Sequence, residues 1–335
     1  MLRRAITLAL ALVAAPALSQ DTKAPKIEPT TFKDPGKVAY KFVKGQSDSY
    51  VTETTTKTVI AVEVAGQNIN ITTDGSGRAR VVYTPLDDAV PTKMEVVTDH
   101  IKMKQNIDNP MMPVVVTIDD KKIKATSNGQ VVYDSETGET NPMAEQFIQG
   151  VKHLGKKATV AVDADGRAGG AVEGDPAAVK QLKELIGQGL YPILWKGQAG
   201  LNVGDTWEVV TELKTMQEIA LKTPVKITNT YKVVGAVLLD GVPCIEISTR
   251  SVGKASNLDC TMEQGGMAFQ LKIESLAMDL SGRALFDPAK GRPVYSDNKG
   301  TVEFAASGDV PQAGGQMAIK ANMSVKATQR LNAPW

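Results

Sequence analysis

Long alternations of apolar and polar residues are the feature that most limits how this chain can fold. In the segment 50–65, one face carries threonines and aliphatic residues, and the other carries Glu53, Lys57 and Glu63. The segment 317–328 alternates in the same way, with methionines and aliphatic residues opposite lysines. A period of two residues is typical of a strand with one buried and one solvated face. The chain is therefore predicted to be mainly β, with long antiparallel strands.

Further strands are predicted between these two segments, and turn residues separate several of them. The predicted strands lie near 94–104, 113–118, 121–126, 157–163, 205–214, 224–235, 243–250, 268–286 and 293–305. Hairpin turns are predicted at 165–166, 240–241 and 287–291. Between Phe269 and Phe286 the apolar positions change from odd to even numbers, which predicts a β-bulge near Ser275. A bulge bends its strand, so curved sheets are expected.

Two short helices are predicted between the strands. Asn141-Pro142 and Asp175-Pro176 each offer an N-cap residue followed by proline at the first helical position. Apolar residues then recur at helical spacing, which predicts helices near 142–154 and 176–186. A motif of Gly, a variable residue, two apolar residues, an aromatic residue and Asp begins at both Gly129 and Gly282, which indicates two related halves.

These patterns predict four segments and one of two β architectures. The segments are a signal peptide at 1–19, a flexible leader at 20–36, a first β-half at 37–189 that contains both helices, and a second β-half at 190–335. The long curved antiparallel sheets form either a half-barrel or two related β-halves. Whether the halves share one sheet stays open at this stage.

The N-terminus predicts export. Arg3 and Arg4 precede an apolar run at 5–15 that is too short to span a membrane, and small residues favour cleavage after Ser19. A periplasmic or extracellular location follows. In such an oxidising compartment Cys244 and Cys260 would form a disulfide across a hairpin whose turn is the polar stretch 251–257. Two buried free thiols are the alternative.

Composition excludes several functional classes. With 38 Lys+Arg against 37 Asp+Glu and no basic block, the chain is not expected to bind nucleic acid. The two histidines and two cysteines do not have the usual spacing of a Cys/His zinc site or a haem attachment, and two cysteines are too few for an iron–sulfur cluster, so no cofactor is expected. Aromatic residues make up only 5% of the chain, and Pro334 interrupts the terminal pattern, so a membrane-spanning barrel is not expected either.

The residues give little indication of catalysis. His153 lies near the end of the first predicted helix, where a cationic ring would interact favourably with the helix dipole. No Gly-x-Ser-x-Gly elbow accompanies it or His100. The carboxylates at 163–165 fit a hairpin turn better than a calcium loop, because the twelfth loop position is glycine. A non-catalytic protein is expected, and a hydrolase that uses His100 or His153 is the least favoured alternative.

The predicted binding residues lie on strand faces rich in methionine and aliphatic side chains. They are Leu271, Ile273, Met278, Met317, Ile319, Met323 and Val325. Methionine suits adaptable surfaces that accept flexible chains. We expect an apolar ligand, a lipid or acyl chain, or a lipid-modified partner. An ordinary filled core is the alternative interpretation, and a structural or protein-interaction component of the cell envelope or matrix is the second functional hypothesis.

Short motifs spread over residues 38–290 resemble a family of secreted bacterial β-proteins grouped under a domain of unknown function. They are Tyr40-Lys41-Phe42 with Lys44-Gly45, the segment 160–167, Val172-Glu173-Gly174, Val203-Gly204-Asp205-Thr206-Trp207, and Asp240-Gly241-Val242-Pro243-Cys244. The resemblance implies no activity and no site residues.

The expected curved sheets are also similar to the half-barrels of periplasmic lipoprotein carriers. This similarity implies an acyl chain held on a concave face, and the implication rests on fold analogy alone.

Overall fold

A computed structural model describes most of the chain after its N-terminal segment. The described residues are 25–30, 38–64, 66–88, 92–110, 112–137, 142–164, 166–188, 201–216, 219–264, 267–310 and 315–335. The predicted signal peptide at 1–19 lies outside them, as does most of the predicted leader.

Fifteen strands and two helices make up the described structure. In the first part of the chain they are β1 (Ile27–Pro29), β2 (Asp48–Val64), β3 (Gln67–Pro85), β4 (Thr92–Asp108), β5 (Val114–Asp119), β6 (Lys122–Ser127), β7 (Gln130–Asp134), α1 (Pro142–Val151), β8 (Lys157–Val162), β9 (Ala168–Gly174) and α2 (Pro176–Gln188). The second part contains β10 (Thr206–Met216), β11 (Ile219–Leu239), β12 (Val242–Gln264), β13 (Met267–Asp287), β14 (Arg292–Val310) and β15 (Gly315–Leu331).

All fifteen strands belong to one antiparallel sheet, which confirms the predicted fold class. The main order is β1-β11-β12-β13-β14-β15-β2-β3-β4-β5-β6-β7, with β10 paired to β11 and the β8–β9 hairpin paired to β4. The sheet is not closed. Because β15 pairs with β2 along its whole length, the N-terminal and C-terminal strands form a continuous surface.

The predicted recurrence of one motif in two halves does not correspond to a structural repeat. Gly129 lies in the tight turn between β6 and β7 with a φ of 78°, a value that favours glycine. Gly282 lies inside β13, where it pairs with Thr249 and Asn298 on the neighbouring strands. The shared residues therefore occupy different local structures.

Part of the predicted flexible leader is a strand. Ile27–Pro29 pairs with residues 237–239 of β11, and Lys26 also bonds to the β11–β12 turn through Asp240. The structure therefore places three residues of the predicted leader in the sheet. The sequence does not predict this strand, because three residues in a proline-rich segment are too few to show an alternation.

The predicted disulfide is absent, because the two cysteines lie on one uninterrupted strand. Cys244 and Cys260 are both buried free thiols on β12, which continues through the stretch 251–257 that was predicted as a turn, with a local irregularity at Asn257, whose φ is 55°. At about 3.3 Å per residue, the sixteen steps between the cysteines span roughly 50 Å of strand. Ser251, Ser256 and Asn257 gave the turn signal, although they lie within a long strand.

One predicted bulge and one predicted hairpin turn are confirmed, whereas Asp165 of the turn predicted at 165–166 lies outside the described residues. The register between β13 and β14 shifts between Ile273 and Ser275, which confirms the predicted bulge. The β11–β12 hairpin turns through Asp240 and Gly241 with φ values of 49° and 85°. Two successive positive φ values identify the hairpin turn that Asp-Gly favours.

The sheet buries one face, called here the inner face, in two separate cores. The first core includes Ile60, Ile71, Ile273 and Ile319, and the second includes Val81, Ile247 and Phe286. Helix α1 contacts β6, while α2 contacts β8, β9 and β10. Two short helices cannot cover strands of 17 to 23 residues, so the sheet must curve and bury its inner face largely against itself, with α2 bridging its two sides.

Candidate functional site

A half-exposed zone separates the two cores on the inner face, and we call it the waist. It consists of Thr52, Thr54, Ala79, Asn229, Thr249, Ser251, Met278, Leu280, Asn298, Gly300, Val302, Met323, Val325 and Ala327, all neither fully buried nor fully exposed. These residues share the face that is filled on either side of them. Solvent therefore reaches the concave surface of the sheet between two packed ends.

The predicted binding residues all lie on the inner face of β13 and β15. Leu271 and Met317 pair with Gly308 from opposite sides of β14, and Ile273 and Ile319 flank Ala306 in the same way. These four residues are buried in the first core.

The remaining three predicted residues lie in the waist. Met278 and Met323 flank Val302, and Val325 pairs with Gly300 in the adjacent row. The side chains of Met278, Met323 and Val325 are half-exposed. The structure therefore divides the predicted set into core residues and residues that a ligand could touch.

A buried polar cluster borders the apolar part of the waist on β2–β4. Thr58 pairs with Thr73, and Gln105 pairs with Gly75. Thr58, Thr73 and Gln105 are 3%, 1% and 4% exposed. Among the described residues, Thr58 Oγ1, Thr73 Oγ1 and Gln105 Oε1 have no hydrogen-bond partner. Because an unsatisfied buried polar atom costs about 1–3 kcal/mol, this cluster is unusual inside a core.

The polar cluster adjoins the half-exposed apolar residues directly. On β15, Met323 pairs with Thr58 and Val325 pairs with Thr56. The apolar stripe on β13–β15 and the polar cluster on β2–β4 therefore form one continuous amphipathic surface.

Polar groups on the other side of the waist satisfy one another. Ser251 Oγ lies 2.7 Å from Asn229 Oδ1, and Asn229 Nδ2 donates to Thr211 Oγ1 at 3.1 Å. Thr249 Oγ1 donates to Asn298 Oδ1 at 2.9 Å. This side of the waist is already hydrogen-bonded, in contrast to the cluster on β2–β4.

No waist position carries a charged residue. Ionic side chains of the same strands lie on the outer face, where Arg250 Nη2 and Asp279 Oδ2 are 2.7 Å apart. The alternation of the strands produces this separation, since successive side chains point to opposite faces. The waist is therefore an uncharged surface.

The two histidines are in different environments. His153 is buried beside Val96 and Leu182, and burial lowers its pKa to about 4. A ring that is neutral at pH 7 cannot make the charge–dipole interaction predicted for it. On the outer face, His100 stacks on Trp335 with ring centroids 5.0 Å apart, and its Nδ1 lies 3.0 Å from Asp120 Oδ2.

An open cavity of about 580 Å³ also lies beside His100 and is lined by Asp99, Asp119, Asp120 and Lys121, among others. Two of its carboxylates already have cationic partners, since Arg80 binds Asp99 at 2.7 Å and Lys102 reaches Asp119 at 3.8 Å, and Asp120 contacts the His100 ring. Within the described part of the chain, no group of three His, Cys, Asp or Glu residues could hold a metal ion.

Sequence reasoning missed the polar cluster, although its signal was present. Gln105 lies between Met103 and Ile107 in the period-two pattern, so its side chain had to share their inner face. Thr56 and Thr58 belong to the alternation that was assigned to a buried face. A glutamine on such a face is the anomaly that points to the cluster.

Comparisons with known proteins leave the family open. No family model and no curated protein matches the chain. Solved structures with weak similarity include DynF from the dynemicin biosynthesis pathway of Micromonospora chersina, at 8% identity over 95% of this chain and 96% of that one, with a TM-score of 0.21.

Two others are the Pseudomonas putida toluene transporter TodX and the monoaromatic hydrocarbon channel CymD. TodX is 8% identical over 86% of this chain and 90% of its own, with a TM-score of 0.14. CymD is 9% identical over 86% and 89%, with a TM-score of 0.13. No inference rests on scores this low. Among the described residues, neither helix is long and apolar enough to cross a membrane.

Proposed function

We propose that this protein binds an apolar ligand, a lipid or acyl chain or the lipid group of a modified partner, on the waist, and that it acts by binding and not by catalysis. The observation that carries the proposal is the position of Met278 and Met323, half-exposed on either side of Val302 between two filled cores. The export signal predicted at 1–19 would place this binding in the periplasm or outside the cell.

Covering apolar surface would supply the free energy of binding. Each Å² of apolar surface removed from water contributes about 25 cal/mol. Met278, Met323 and Val325 leave such surface accessible on a concave face, where a chain-like ligand would cover several of them at once. Methionine adapts to different ligand shapes, because its side chain is flexible and polarizable.

A charge placed on the waist tests the proposal. In Met323→Asp a carboxylate would have to be desolvated by any apolar ligand, so we expect binding of the fluorescent hydrocarbon diphenylhexatriene to weaken at least about tenfold. The measurement is a fluorescence titration of the purified protein.

Asn322→Asp is the matched control, because Asn322 lies next to Met323 on β15 but on the exposed outer face. We expect this variant to bind the hydrocarbon as the original protein does. Equal binding by Met323→Asp and Asn322→Asp, or no binding by the original protein, would rule out the waist as an apolar site and leave the envelope-interaction hypothesis.

A further inference from the structure

Next to the apolar residues of the waist lie buried polar atoms that have no hydrogen-bond partner among the described residues. Thr58 Oγ1, Thr73 Oγ1 and Gln105 Oε1 are buried without partners among the described residues, and they lie on adjacent strands. Native proteins rarely leave such atoms unsatisfied. Three of them in one cluster indicate a polar group that the protein alone does not supply.

We propose that the ligand of the waist carries an uncharged hydroxyl group and that Thr58, Thr73 and Gln105 bind it. The inference rests on the proposed function and adds the chemical class of the ligand, a long-chain alcohol. Its alkyl chain lies along Met323 and Val325, and its hydroxyl group enters the cluster beside them.

The donor and acceptor pattern selects a hydroxyl group. The amide oxygen of Gln105 is an acceptor, so it requires a donor. The threonine hydroxyls can donate to an oxygen. A ligand hydroxyl donates one hydrogen bond and accepts others, whereas an ether or ester oxygen cannot supply the donor that Gln105 Oε1 needs.

The absence of charge on the waist argues against an ionised headgroup. No lysine or arginine occupies a waist position, and the residues beside the cluster on β2–β4 are threonine, glycine and aliphatic side chains. A buried carboxylate without a cation would pay a large desolvation penalty. The site should therefore discriminate against a fatty-acid anion of the same chain length.

Competition with bound diphenylhexatriene tests the inference on the full chain. We expect 1-decanol to bind at least about fivefold more tightly than 1-methoxydecane, which has the same alkyl chain but no donor, and more tightly than decanoate at pH 8. This comparison needs only the original protein, so it does not depend on a variant that folds.

A double variant, Thr58→Val and Thr73→Val, removes both hydroxyls at nearly constant volume. We expect it to lose the preference for 1-decanol over 1-methoxydecane. Thr72→Val is the control, because Thr72 is the outer-face neighbour of Thr73 on β3.

The outcomes separate the two proposals. If alcohol and ether bind equally, or if the double variant keeps the preference, the inference of a hydroxyl ligand fails. Binding of diphenylhexatriene in that case would still support the apolar site. If the original protein binds neither diphenylhexatriene nor 1-decanol, both proposals fail.

Discussion

Buried polar residues in this protein differ in whether they have partners. Asp48 and Arg292 form a buried ion pair that connects β2 to β14, and Arg292 Nη2 also donates to the carbonyl of Lys41 at 3.3 Å. Tyr50 adds a hydrogen bond from its hydroxyl to the carbonyl of Pro293 at 2.8 Å. These groups fix the second core in place, whereas Thr58 Oγ1, Thr73 Oγ1 and Gln105 Oε1 have no hydrogen-bond partner among the described residues.

His153 makes folding stability depend on pH. Burial lowers its pKa to about 4 in the folded protein, from the 6.5 that is usual for histidine. Between these values the unfolded chain binds a proton that the folded chain does not, so stability falls as the pH drops from about 6.5 towards 4. From pH 7 to pH 5, this single group lowers the free energy of unfolding by about 2 kcal/mol.

His153→Gln should remove this contribution. Urea unfolding at pH 7 and pH 5 measures it, and the loss of stability between the two pH values should be about 2 kcal/mol smaller in the variant. The comparison is a difference within each protein, so a general destabilisation by the substitution cancels. An equal pH dependence in both proteins would mean that His153 is not buried as a neutral ring.

At the level of elements, the sequence predicted strands better where both faces are chemically distinct. Strand β15 and most of β2 were predicted because methionine, threonine and aliphatic residues alternate with charges. Strand β3 was not predicted, since Gly75, Ser76 and Gly77 interrupt its alternation at the waist. The glycine-rich centre of this strand gives no periodic signal, and the pairing of the strand with β2 and β4 determines its structure.

The same limit explains why the waist was only partly predicted. The alternation of apolar and polar residues places Met278, Met323 and Val325 on one face. It cannot show that β12 continues through 251–257 or that a packed core fills each end of the inner face. Those features depend on pairings between residues far apart in the sequence, such as Val325 with Thr56. The division into core and half-exposed residues therefore required the structure.

The continuity of β12 predicts the state of both cysteines. Cys244 lies in the second core and Cys260 in the first, with roughly 50 Å of strand between them at the usual rise per residue, so they cannot pair within one molecule. Burial also raises the pKa of the Cys244 thiol to about 12 and raises that of Cys260. We expect an intact mass that reductant does not change, and slow labelling by iodoacetamide at pH 8 until denaturant is added.

Each thiol offers an internal check. Cys244→Ala and Cys260→Ala should each lower the number of groups labelled in denaturant by one, and neither should change labelling of the native protein. A mass two protons lighter without reductant would contradict the continuous strand, because the cysteines could then meet only through a different pairing.

At the scale of the whole molecule, the long strands connect the two cores. Strand β12 contributes Ile247 to the second core and Cys260 to the first, and β13 contributes Phe286 and Ile273 in the same way. Loss of either core would leave half of each strand without apolar cover, while the backbone hydrogen bonds of the sheet still run through the waist. The two cores are therefore expected to unfold together.

Substitutions in separate cores test this cooperativity. Ile273→Ala and Ile247→Ala remove fully buried side chains from the first and second cores, and each should cost about 2–5 kcal/mol. Urea unfolding is followed by circular dichroism and by the fluorescence of Trp207, which stacks on Tyr231 in the second core at 5.1 Å. Replacing Trp195 and Trp335 with phenylalanine isolates that signal.

We expect Ile273→Ala to shift the Trp207 midpoint as far as the circular dichroism midpoint, because the strands transmit the loss from one core to the other. A Trp207 midpoint that stays fixed while circular dichroism shows two transitions would mean that each core folds independently and that the waist is a boundary between them.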